Sequence, residues 1–114
     1  TMNTIKLIGA LLYEKYANTD LYEPLFKQLS THLSDSVRCY ACYLVALHTE
    51  IPLEDKLHKL KPLVADSHFG VREIIWMALC PDFVTALCER WERKSPTKET
   101  KYIVKKALRT LASK

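Results

Sequence analysis

Glycine is scarce in this chain, with two in 114 residues, and the five prolines all stand singly. Tight two-residue hairpin turns depend on glycine-containing pairs, so a sheet held together by such turns is excluded and long helices with short joints are expected. Long apolar runs are lacking too. A stretch such as Leu7 to Tyr13 is far short of the roughly 20 residues a membrane span needs, and no cleavable signal with a basic start is visible. The expectation is a cytoplasmic protein with no membrane partner. Without a secretory signal, the four cysteines read as reduced thiols rather than a disulfide framework. No P-loop, Gly-rich dinucleotide loop or nucleophile elbow occurs, and no cofactor is expected.

What is present suits one globular domain: 48% of residues are hydrophobic and 26% charged, enough apolar material for a modest core. Charge is unevenly placed. Residues 1–89 carry 8 basic and 11 acidic side chains, a net of −3, whereas residues 90–114 carry 9 basic and 2 acidic, a net of +7. A basic segment of that kind favours polyanions, unless it is only the solvated face of an amphipathic helix.

Apolar residues at Ile5, Ile8, Leu11 and Leu12 give a 3.6-residue period and predict a first helix over Met2 to Tyr16. Asn18, Thr19 and Asp20 offer a cap for a second, Leu21 to Leu33, with Pro24 in its first turn and Tyr22, Leu25, Phe26, Leu29 and Leu33 as its buried stripe. Ser34-Asp35-Ser36 caps a third, Val37 to His48, which is apolar almost all round and should pack on two sides. Pro52 opens a fourth, Leu53 to Ala65, which Pro62 must kink or shorten. Asp66-Ser67 caps a fifth, Phe69 to Cys80. Pro81 is expected to stop it and begin a sixth ending near Arg93, and Lys98 to Ala112 forms the last.

Laid over one another at Val37, Val71 and Val104, the odd helices repeat at 34 and 33 residues, and each valine precedes a base: Arg38, Arg72, Lys105. A period in that range signals a solenoid. The third, fourth, seventh and eighth positions after each valine stay apolar, as residues wedged between layers must. The second and fifth change character: Cys39 and Cys42, then Glu73 and Trp76, then Lys106 and Arg109. A face that varies in this way is expected to lie outside the common core.

The segments SDSVRCYACYLVAL, ADSHFGVREIIWMALCP and TKYIVKKALRTLASK, with the start Asp35-Ser36-Val37-Arg38, resemble HEAT repeats. More narrowly, they look like the HEAT-like repeats of bacterial DNA alkylation repair proteins, the AlkC/AlkD-like glycosylases, over residues 30–112. The resemblance implies a basic concave face that cradles duplex DNA and a carboxylate and aromatic ring that serve cleavage of the N-glycosidic bond to an alkylated base. Onto this chain it carries Arg72, Glu73 and Trp76, with Glu73 as the catalytic carboxylate. Cys80-Pro81 departs from the Arg-Pro of that pattern.

Arg72, Glu73 and Trp76 stand at i, i+1 and i+4, which places guanidinium and carboxylate beside the indole. A π face, an anion and a phosphate-holding base suit a cationic nucleobase. The structural alternative has Trp76 packed into the next layer and Arg72 paired with a carboxylate such as Asp35 or Asp66. In the last helix Lys98, Lys101, Lys105 and Arg109 form one basic stripe, with Lys106 beside it, able to contact successive phosphates. Cys39 and Cys42 form C-x-x-C inside an apolar helix, without the ligands of a zinc site or the context of a redox motif, and are expected to be buried thiols. The four histidines show no ligand spacing. His68 alone sits beside the candidate patch.

The expected fold is an all-α, HEAT-like α-solenoid of about three antiparallel helix pairs (repeats about 21–48, 53–80 and 81–112) behind a helix at 2–17, in a single domain 1–114. Two functional classes follow: a duplex-DNA-binding module, with enzymatic activity left open, and a scaffold that binds another protein, the general use of HEAT repeats.

Overall fold

In the computed structural model, which describes residues 2–94 with Lys106 and Arg109, the regular elements are helices: α1 Met2–Tyr16, α2 Tyr22–Ser30, α3 Asp35–Ala46, α4 Leu53–Val64 and α5 Phe69–Lys94. No strand occurs among the described residues. The all-α expectation holds. No helix among them is long and apolar enough to cross a membrane. The chain divides into two compact units, Thr1–Ala78 and Leu79–Lys114, with the division inside α5.

In the first unit the centre is α3, against which α1, α2 and α4 pack. Cys39 and Ala41 through Ala46 are all buried, as a helix apolar on nearly every side requires. Leu44, Val45, Leu60, Val71 and Ile75 are fully buried, and each contributes roughly 1.5–3 kcal/mol in apolar burial. Gly9 is the buried residue of α1. A Cβ placed there would lie 2.5 Å from the Cβ of Tyr43, so the absence of a side chain is what lets α1 lie this close on α3.

A helix buried this deeply must find partners for the carbonyls of its last turn, which have none within the helix. Those of α3 all find one. Leu47 N–H donates to Tyr43 O (3.0 Å) and His48 N–H to Val45 O (3.1 Å). The other two are met by side chains from α2 and α4. Tyr22 Oη donates to Leu44 O at 3.1 Å, and Lys56 Nζ donates to Ala46 O at 2.7 Å. Lys56 is only 4% exposed, and its ammonium also complements the negative end of the α3 dipole. Burial pushes the Tyr22 phenol well above its usual range, which keeps it in the donating form. His48, buried beside them, meets the rings of Tyr13 and Tyr22 edge to face at 5.6 and 5.3 Å, and its Nδ1 accepts the Glu50 N–H.

Three local expectations are corrected. The second helix ends at Ser30, where Thr31 Oγ1 donates to Lys27 O at 2.7 Å, so Leu33 lies outside it and is 98% exposed instead of completing its buried stripe. Pro81 lies inside α5 rather than ending it. An interior proline costs about 3 kcal/mol, which burial of Ile74, Ile75 and Leu79 on the preceding turns outweighs. At the start of α5 it is not Ser67 but His68 that caps: His68 Nδ1 accepts the Gly70 N–H at 3.0 Å, while Asp66 Oδ1 accepts the N–H of His68 at 2.9 Å. Pro62 sits within α4, which ends two residues later at Val64.

In the second unit Leu79 is buried, Cys80, Phe83, Val84 and Cys88 are half-buried, and Thr85 Oγ1 donates to Pro81 O at 3.0 Å. Lys106 and Arg109 are helical and exposed. The rest of the predicted last helix, with Lys98, Lys101 and Lys105, lies outside the described residues.

Gly9→Ala is expected to lower stability by roughly 1–3 kcal/mol, since overpacking outweighs the gain in helix propensity. Tyr22→Phe, which leaves the Leu44 carbonyl buried without its donor, should cost about 1–3 kcal/mol. Urea unfolding of each variant, read by circular dichroism, checks both values.

Candidate functional site

The turns that precede α3 and α5 are sewn together by Arg38. Its Nε donates to Asp66 Oδ2 at 2.8 Å and its Nη2 to Asp66 Oδ1 at 3.1 Å, a two-pronged pair. Its Nη1 meets the carbonyls of His32 (2.8 Å) and Leu33 (3.0 Å). The Asp66 carboxylate is only 8% exposed. The hydrogen bond from Arg38 holds its pKa below the usual carboxylate range, the N–H of His68 adding to the effect against the opposing pull of burial. The same pairing raises Arg38.

With Asp66 taken by Arg38, Arg72 pairs with no carboxylate among the described residues. Its Nη1 donates instead to the backbone carbonyl of Asp66, and its guanidinium lies 5.9 Å from the centre of the Phe69 ring. Arg72 therefore turns back over the start of α5, the direction helical side chains naturally take. The Asp35 carboxylate goes to His68, with Nε2 to Oδ2 at 3.2 Å. Because His68 Nδ1 accepts the Gly70 N–H, the ring proton of the neutral imidazole sits on Nε2 and points to Asp35.

This anchored turn forms one end of a groove of about 260 Å³ within the first unit. Met2 and Ile5 of α1, with Ile74 and Met77 of α5, supply its apolar wall; Asp35, Ser36 and Cys39 of α3, with His68, Gly70 and Glu73, complete it. Glu73 is exposed and has no hydrogen-bonding or ionic partner among the described residues. No lysine or arginine among the described residues lines the groove. Trp76, one turn further along α5, is 48% exposed and is not among the lining residues. A wider hollow of about 540 Å³, bounded by Glu50, Asp55, His58 and Lys59, contains none of the residues singled out from the sequence.

The varying positions differ in exposure: Cys39 and Cys42 are buried, as expected of these thiols though not of the face they belong to, while Glu73, Trp76, Lys106 and Arg109 are exposed. Both cysteines carry free thiols, and burial raises both pKa values, that of Cys42 strongly. Neither suits a nucleophile, which must be a thiolate. Neither Ser36 nor Cys39 hydrogen-bonds to His68 among the described residues, so the His68–Asp35 pair has no nucleophile to activate. No group of three or more His, Cys, Asp or Glu that could hold a metal ion occurs among them either.

Sequence reading singled out Glu73, Trp76 and Arg72 but missed the Arg38–Asp66 and Asp35–His68 pairs. The available signal was the recurrence of an aspartate near each Val-Arg start. No protein-family model, curated protein or solved structure matches the chain.

Asp66 is depressed in the folded chain, so its contribution to stability is full above the ordinary aspartate value of about 3.9 and is lost as pH falls through the lower folded value. Asp66→Asn should lower the melting temperature at neutral pH, with the difference from the parent shrinking on acidification. Thermal melts between neutral and strongly acidic pH measure this directly.

Proposed function

We propose that the chain is a nucleic-acid-binding module that acts on duplex DNA, a relative of the DNA alkylation repair proteins it resembles, built as a HEAT-like stack of helix pairs behind the first helix. The observation that carries this reading is the exposure of Glu73 and Trp76 one turn apart on α5, where the matching Cys39 and Cys42 of the preceding copy are buried. An exposed indole offers a face for a base to stack on, and a carboxylate beside it favours a cationic lesion or the positive charge that develops on the sugar. Lys106 and Arg109 are exposed; the sequence pattern places Arg109 on one basic stripe with Lys98, Lys101 and Lys105, and Lys106 beside it, which would follow phosphates. Arg72 commits one N–H to the Asp66 carbonyl and has further donors for a phosphate.

A second reading, the protein-binding scaffold, is favoured by the apolar wall of the groove and by Leu7 and Leu11, one turn apart on α1 and 60% and 56% exposed.

Fluorescence anisotropy with labelled duplex DNA at low and moderate salt tests the first reading. Binding should weaken steeply with salt and fall sharply in Lys105→Glu/Arg109→Glu; no binding at low salt removes it. Enzymatic activity is tested separately, by release of a methylated purine from treated DNA. Glu73→Gln should reduce release by at least about a hundredfold if Glu73 is the catalytic carboxylate, and equal release by both proteins takes Glu73 out of the mechanism.

A further inference from the structure

We infer that the groove between α1, α3 and α5 is a receptor for an arginine side chain presented by a partner protein. The inference rests on the groove and shares only Glu73 with the DNA reading. Its fixed charges among the described residues are negative: Asp35 and Glu73 stand in the lining, and no lysine or arginine does. Asp35 already accepts from His68, but Glu73, with no partner among the described residues, is a carboxylate at the edge of an apolar wall without a counter-charge. The occupant that complements both features carries a cation on an apolar stem.

Arginine fits better than lysine. Its guanidinium is more weakly hydrated than an ammonium, and its planar fork can serve two carboxylates at once. Its methylene stem would lie along Met2, Ile5, Ile74 and Met77, two of them flexible thioethers that adapt to a bound chain. The groove's volume, about 260 Å³, has room for one long side chain. A DNA phosphate is disfavoured here, because Asp35 and Glu73 would face it with like charge.

The experiment is a two-dimensional ¹H–¹⁵N NMR titration of the full chain with a short peptide bearing one arginine flanked by leucines, and with its citrulline counterpart. Citrulline keeps the shape and removes the charge. The arginine peptide should shift the amides of Ser36, Gly70 and Glu73 saturably, and the citrulline peptide should bind at least about tenfold more weakly, the loss expected for one charge-assisted hydrogen bond. Glu73→Gln, an exposed substitution that leaves the fold intact, should weaken the arginine peptide by a similar factor. Equal shifts by both peptides, shifts unaltered by Glu73→Gln, or no shifts at those amides overturn the inference. So does a duplex oligonucleotide that moves the amides of Ser36 and Gly70.

Discussion

The pair between Arg38 and Asp66 is the constraint on which this end of the first unit depends. One guanidinium meets both oxygens of a nearly buried carboxylate and two carbonyls of the α2–α3 turn. Each consequence at the site follows from where those donors go. Asp66, held by Arg38, turns its other interactions to the N–H of His68 and leaves only its backbone carbonyl to Arg72. His68, positioned in turn, caps α5 with one ring nitrogen and meets Asp35 with the other. A partly buried ion pair adds less net stability than its geometry suggests, but removing one member strands the other, so it acts chiefly to specify one arrangement of the two turns.

At the opposite end of α3 the same logic operates with different chemistry. A helix apolar on nearly all sides is driven into the middle of the unit by burial, and that burial would leave its last carbonyls without water. Tyr22 and Lys56 meet this requirement from α2 and α4. Neither residue is a functional candidate, although a buried lysine in isolation invites that reading. Among the described residues no buried side-chain nitrogen or oxygen lacks a partner, so the polar groups of the interior are accounted for by structure. The groups left over for function are on the surface.

The exposed candidates are Glu73 and Trp76 on α5 and, in the second unit, Lys106 and Arg109. Glu73 and Trp76 share one turn and one helix, yet Glu73 borders an apolar groove and Trp76 does not. The DNA reading uses both, the exposed indole for a base to stack on and the carboxylate beside it, whereas an arginine receptor needs only the carboxylate beside Met2, Ile5, Ile74 and Met77. The basic stripe expected from the sequence in the last helix would serve only the first.

Helical class, the positions of α1, α3 and α4, and the depth of α3 were legible in the sequence, because the spacing of apolar residues reports burial whatever the partner. So was the division of charge. Less could be read from caps and prolines. Pro81 lies within α5 and His68 rather than Ser67 accepts the cap hydrogen bond, since local preferences of about 1–3 kcal/mol are overridden by tertiary burial. The face that varies among the three aligned segments is not uniformly outside: Cys39 and Cys42 are covered, Glu73 and Trp76 are not. Periodicity states which residues share a face. Which faces are covered, which aspartate Arg38 takes and what that leaves for Arg72 and His68 were decided only by the tertiary structure, because these contacts join residues about 30 positions apart and depend on how the helices pack.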